Sequence, residues 1–346
     1  MVAVTGSSQL GRQLGLTRNI SLLNVMLNQQ TQQLSSGLKA NGLVGVSSQA
    51  QQLGDLKSQL GTVQNYSSGV QTALNRVNLY SVTIENIIDL ATNAQSMMIE
   101  NRDPSFAATS APAVQANSLL DQIGTLLQVK DGDRYLFSGT NYSNNPLGIA
   151  PLSSISTTYA AGAVPGTNYT TFTPAANAAA VPPAPYATAA NYYLNTTGTV
   201  QGYFDSNQVQ LYVDDGEQVS YGVSGAADGF QTLIDAVVRF RDASADVTTD
   251  PNNYQARVDD ARNQLNTAIS QLKSIASANG YNQQQLTEIQ SQQANTVDTL
   301  KIRIGKIQDV DPAVVSTTIT NLQTALQASY YVTNSLLNLS LINYLK

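Results

Sequence analysis

The sequence has no histidine, no cysteine and no tryptophan, and only 12% of its residues are charged. Without His and Cys the usual general base, the thiolate nucleophile and the best zinc ligands are missing together. The expectation is therefore a chain that is not an enzyme, with no catalytic residue, no metal and no cofactor. Disulfides are excluded for the same reason. Charged residues stand at about half their usual share, and Gln, Asn, Ser and Thr supply the polarity instead. Amide and hydroxyl faces are buried at far lower desolvation cost than charged ones. Two readings follow: a polymer subunit covered largely by copies of itself, or an unusually amide-rich soluble protein.

With 17 basic residues against 23 acidic ones the net charge is −6, and no basic patch is available to neutralise phosphates. No nucleic-acid partner is expected. Nor is membrane insertion, because no apolar run reaches the ~20 residues a spanning helix needs. Met1-Val2-Ala3-Val4-Thr5-Gly6 lacks the basic region and apolar core of a secretory signal.

The two ends of the chain match each other in pattern. Leu16, Ile20, Leu23, Leu27, Gln30 and Leu34 alternate in steps of four and three, the stripe of an amphipathic helix. Ser35-Ser36-Gly37 closes it. A longer stripe runs through Leu53, Leu56, Leu60, Val63, Ser67, Val70, Leu74, Val77, Ser81, Ile84, Ile88 and Ala91 until Asp103-Pro104, which specifies a seam against other helices. After Pro112 a further helix carries Ala116, Leu120, Ile123 and Leu127 into the turn Asp131-Gly132-Asp133. Helical pattern returns at Phe230, Leu233, Ile234, Val237 and Val238, and after Asp250-Pro251 at Tyr254, Val258, Ala261, Leu265, Ala268, Leu272 and Ile275. Asn279-Gly280 is read as an interruption before a helix over Leu286–Ile307. Asp311-Pro312 starts the last helix. Its end, from Leu336 through Leu339, Leu341 and Ile342 to Leu345, is apolar all round, so partners are expected to surround it. In the middle layer, Leu60, Val63, Val70, Leu74 and Val77 are expected to pack on Val258, Leu265 and Leu272.

The middle of the chain differs. Leu136–Phe204 contains no charged residue and seven of the eleven prolines. Tyr142, Tyr159, Tyr169, Tyr186, Tyr192, Tyr193 and Tyr203 give strands something to bury. Val209, Leu211 and Val213, then Asp214-Asp215-Gly216, then Val219, Tyr221 and Val223 read as a β-hairpin.

Three strings carry a resemblance: Leu34-Ser35-Ser36-Gly37; Gly132-Asp133-Arg134-Tyr135-Leu136-Phe137-Ser138-Gly139-Thr140; and Leu326-Gln327-Ala328-Ser329-Tyr330 with the closing Leu339-Ser340-Leu341-Ile342-Asn343-Tyr344-Leu345. They resemble the flagellin superfamily on its hook-associated side. The resemblance implies a structural subunit of the bacterial flagellum joining hook to filament, with a filament flagellin as the alternative. A surface module that binds glycans through its tyrosines is a third reading. The implied partners are copies of itself in a helical ring or filament, other flagellar axial proteins (a hook-associated adaptor and flagellin) and an export chaperone. The implied location is extracellular, in the flagellum, reached by flagellar type III export without a cleaved signal peptide.

The expected fold is mainly α with a β-rich insert. Its paired terminal helices form an antiparallel coiled-coil or helical-bundle rod from which the β domain projects. The expected divisions are an inner N-terminal helix at 1–40, helical rod at 41–140, insert at 141–228, helical rod at 229–310 and an inner C-terminal helix at 311–346. The expected assembly interface comprises Leu16, Ile20, Leu23, Leu27, Leu34, Leu322, Leu326, Leu336, Leu339, Ile342 and Leu345.

Overall fold

The computed structural model describes residues 3–39, 49–143, 145–146, 152–154, 191–194, 200–204 and 208–344. It is mainly helical, with α1 (Ala3–Ser36), α2 (Ala50–Glu100), α3 (Pro104–Ser110), α4 (Pro112–Leu127), α5 (Asp228–Ala243), α6 (Pro251–Gln308) and α7 (Pro312–Tyr344). Three antiparallel two-stranded sheets are described: β1 (Lys130–Asp131) with β2 (Arg134–Tyr135), β3 (Asn191–Leu194) with β4 (Val200–Phe204), and β5 (Val209–Asp214) with β6 (Glu217–Tyr221). Tyr159, Tyr169 and Tyr186 lie outside the described residues.

Helix boundaries follow local chemistry. Gly37 ends α1 in the left-handed region at φ 73°. Asp103, Asp250 and Asp311 each precede a proline that opens a helix, and each accepts from a backbone amide of the first turn: Ser105 N at 2.9 Å, Asn253 N at 3.1 Å and Ala313 N at 2.8 Å. Gly216, at φ 81°, closes the β5–β6 turn expected from Asp214-Asp215-Gly216.

The chain divides into two compact units: Met1–Gln64 with Asn295–Lys346, and Asn65–Ala294. In the second unit Tyr80, Ile84, Ile87, Ala91, Ala94 and Met98 of α2 are buried in one cluster with Ala116, Leu120, Ile123 and Leu127 of α4. Phe230, Leu233, Ile234 and Val237 of α5 and Tyr254, Val258, Ala261, Leu265, Ala268 and Leu272 of α6 complete it. Phe137 fills its centre, edge-on to Tyr80 and Phe230 with ring centroids 5.3 and 5.4 Å away. Burial pushes the Tyr254 hydroxyl up to about 12. It donates to the Asn101 carbonyl at 2.5 Å.

The expected pairing of α2 with α6 is corrected in register. Val70, Leu74 and Val77 pack with Leu286 and with Val213, Val219 and Tyr221 of the β5–β6 hairpin, not with Val258, Leu265 and Leu272. Those three face the later part of α2, from Tyr80 to Met98. Leu60 and Val63 belong to the other unit, beside Leu300, Ile304 and Ile307. Polar rungs set the register. Gln290 Nε2 donates to Gln71 at 2.5 Å, Gln283 Nε2 to Asn78 at 2.6 Å, and Gln95 Nε2 to Asn266 at 2.6 Å. Arg102 forks onto Asp259 with both contacts at 2.8 Å. Residue numbers rise on one helix as they fall by the same amount on the other, by seven from Gln71 to Asn78 and again from Gln95 to Arg102, the pairing of two antiparallel helices.

A second correction concerns Asn279-Gly280, where α6 does not break. Asn279 is buried and its side-chain amide donates to the Val77 carbonyl at 3.0 Å and to Ser81 Oγ at 2.8 Å. That cross-helix anchor offsets the ~1 kcal/mol cost of a helical glycine beside it. Asn279→Ala is expected to lower stability by about 1–3 kcal/mol. The loss should appear as a lower denaturant midpoint at unchanged slope.

Among the described residues of this unit, Arg239 centres a buried ion cluster. Arg239 contacts Asp235 at 2.7 Å and Asp260 at 3.0 Å, with only 4% of its side chain exposed. Burial holds the Asp235 carboxyl above its ordinary value, against the pull of Arg239. The folded chain therefore takes up this proton more readily than the unfolded chain. Its contribution to stability is full below the ordinary carboxylate value and is lost as pH rises through the raised one. Asp235→Asn removes that slope, while Asp260 still pairs Arg239. Denaturant unfolding should show the variant faring best relative to wild type near pH 7 and losing that advantage on acidification.

Candidate assembly surface

The unit built from both chain ends holds α1 and α7 against one another. They run antiparallel, because the end of α1 is bonded to the start of α7. Val310 N donates to the Gly37 carbonyl at 3.0 Å, and Leu38 bridges Asp309. Lys39 N donates to the Gln308 carbonyl at 2.8 Å. Its Nζ reaches the Lys306 and Ile307 carbonyls at 2.9 and 3.1 Å, satisfying acceptors that the end of α6 leaves open.

Burial divides each terminal helix into two sides. On α1, Leu16, Ile20, Leu23, Leu27 and Gln30 are half-buried. On α7, Val315, Ile319, Leu322, Leu326, Ser329 and Thr333 are half-buried or buried, again in steps of four and three. These two stripes form the seam of the pair. Outside it the helices stay apolar. Leu14, Leu22, Val25 and Met26 on α1 are exposed, as are Val314, Tyr330, Tyr331 and Val332 on α7. Tyr331 is 76% exposed and Val25 63%. No described side chain of α1 is fully buried. A two-helix layer this thin cannot cover its own apolar surface, which leaves these side chains available to a partner.

The residues singled out from the sequence fall on both sides of this division. Leu16, Ile20, Leu23, Leu27, Leu322 and Leu326 line the seam within the chain. Leu34 and Leu336 are exposed, at 40% and 41%. Leu339 and Ile342 lie within the backbone of α7, their side chains outside what is described, and Leu345 lies outside the described residues altogether. Sequence reasoning missed Leu14, Leu22, Val25, Met26 and Tyr331. The signal was present, since apolar residues off the stripe are what a helix with more than one partner carries.

Among the described residues no group of His, Cys, Asp and Glu could hold a metal ion, and no helix is long and apolar enough to cross a membrane.

Comparison with known proteins bears on what such a surface meets. Residues 256–345 match the family described as the bacterial flagellin C-terminal helical region. That match covers α7 and most of α6. No curated protein matches the chain. Among solved structures, a putative flagellar hook-associated protein from Vibrio parahaemolyticus aligns with a TM-score of 0.55 at 12% identity. The alignment covers 74% of this chain and 96% of that one. Flagellar hook associated protein-3 from Legionella pneumophila aligns with a TM-score of 0.50 at 11% identity, covering 73% of this chain and 98% of that one. Identities this low speak for the fold, and the matched C-terminal helices speak for descent. The chain therefore carries a flagellin-like C-terminal helical region on a fold shared with flagellar hook-associated proteins.

Proposed function

We propose that this chain is the subunit that joins hook to filament in the bacterial flagellum, lying outside the cell and exported by the flagellar type III system. It contacts copies of itself, the adjoining hook-associated adaptor and the first flagellin subunits, and an export chaperone holds its terminal helices before assembly. The observation that carries this reading is the α1–α7 pair, whose outer side keeps Leu14, Val25, Met26 and Tyr331 exposed. Such a surface in a flagellar relative fits insertion between neighbouring subunits. The proposed assembly residues are these together with Leu34 and Leu336, while Leu16, Ile20, Leu23, Leu27, Leu322 and Leu326 hold the pair together. Leu339, Ile342 and Leu345 are proposed with them from their apolar character in the sequence.

The second reading, a filament flagellin, is favoured by the match of residues 256–345 to the flagellin C-terminal helical region. Immunolabelling of flagella separates the two. A single band of label where hook meets filament, with a few copies per flagellum, is the expected result. Label along the whole filament would replace the junction reading with the filament one.

A further inference from the structure

In the unit spanning Asn65–Ala294, Arg134 stands apart from the other buried or half-buried arginines. Among the described residues it pairs with no carboxylate, whereas Arg76, Arg239, Arg241 and Arg257 each hold an aspartate. Its guanidinium lies 3.6 Å from the centre of the Tyr142 ring. That contact fixes the planar group without neutralising it. Asp131, the ladder partner of Arg134 across the β1–β2 turn, is already engaged by Arg76 at 2.7 Å. Arg134 and Arg76 line one cleft with Tyr80, Tyr142, Val209 and Tyr221. A half-exposed arginine held in this way, without a carboxylate among the described residues, has the chemistry to receive one.

Elsewhere on the same unit the reverse occurs. Glu85 and Asp89 are exposed, four residues apart on α2, and neither has a cationic partner among the described residues. Like charges at this spacing destabilise a helix, so local folding gives no reason for them. Val82, one turn earlier, is 56% exposed. Glu85 follows Arg76 by nine residues, and at about 100° per residue this sets it roughly half a turn around the helix. Arg76 points into the Arg134 cleft, so Glu85 and Asp89 point away from it. One copy therefore cannot satisfy its own Arg134 with these carboxylates.

We propose that Arg134 of one copy receives the Glu85–Asp89 carboxylates of the next, with Val82 seated against Tyr142. The two halves lie on opposite sides of α2, so the contact is heterologous: each copy uses one half and leaves the other free, which propagates a ring or a filament. The occupant is a second copy of this chain because it carries the matching unpaired charges and exposed apolar residue. The proposal rests on the reading of the chain as a polymer subunit, but it uses a surface separate from α1 and α7.

Sedimentation velocity of the full chain over a concentration series, in low and high salt, tests it. Arg134→Glu and Asp89→Arg should each weaken self-association at least roughly tenfold. The doubly reversed chain should regain most of it, and salt should weaken the wild type more than either single variant. Thermal unfolding of the isolated variants should match wild type. If Arg134→Glu fails to fold, Arg134→Gln serves in its place, with smaller weakening and a lost salt dependence. Wild type that associates while the single variants associate equally well would overturn this contact and leave the subunit reading standing. Failure of the doubly reversed chain to regain association would also overturn the contact. Wild type that stays monomeric throughout would overturn this contact, while the subunit reading stands or falls on the labelling of flagella.

Discussion

Phe137→Ala is expected to lower the unfolding free energy of the Asn65–Ala294 unit by about 3–5 kcal/mol, a large share of the ~5–15 kcal/mol typical of a whole domain. The ring is fully buried and meets Tyr80 and Phe230 edge-on. Its backbone is fixed too, because its carbonyl accepts from Gly225 N at 2.9 Å. On the preceding residue the Leu136 carbonyl accepts the buried Tyr80 hydroxyl. Neighbours held this way cannot collapse into the space an alanine leaves. Phe137→Leu keeps most of the volume and should cost clearly less. Denaturant unfolding of both variants measures the difference, and an alanine variant within ~1 kcal/mol of wild type would show that the centre of this core lies elsewhere.

The second large effect concerns assembly and leaves the isolated chain alone. Met26→Asp combined with Tyr331→Asp should reduce association with flagellar partners by a factor of roughly a hundred or more, since each carboxylate would be desolvated without a partner. Both positions are open to solvent in the single chain, at 50% and 76% exposure, so its melting temperature should barely move. Pull-down and motility of a strain carrying the double variant would check it. Normal motility, or a marked drop in monomer stability, would mean the outer side of α1 and α7 has been misassigned.

Much of the fold was legible because its punctuation is local. Asp–Pro at 103, 250 and 311 and glycine at 37 mark boundaries through capping and φ preference. The Asp214-Asp215-Gly216 hairpin was read from alternation and turn chemistry alone. Register was not legible. Steps of four and three look alike at every heptad, so Leu74 could be matched to Leu272 as easily as to its actual neighbour Leu286. What selects the pairing is a set of amides, Gln71 with Gln290, Asn78 with Gln283 and Gln95 with Asn266. Glutamine carries no periodic signal that names its partner. Asn279-Gly280 is illegible for a related reason: a buried asparagine bonding across helices looks, in sequence, like a turn. At the assembly surface the stripe was readable, but which side of it faces outward depends on the intrachain seam, and that needed the fold.

Amide hydrogen exchange, followed residue by residue in the isolated chain and again in an assembled state, shows whether α1 and α7 form the polymer contact. With no described side chain of α1 fully buried, the amides of Ala3–Ser36 and Pro312–Tyr344 should exchange rapidly in the isolated chain. Amides of α4, α5 and the facing part of α2, enclosed by the core around Phe137, should be slow in both states. On assembly, protection should rise sharply in α1 and α7. Strong protection of both helices already in the dilute single chain, or no gain when it assembles, would contradict the account.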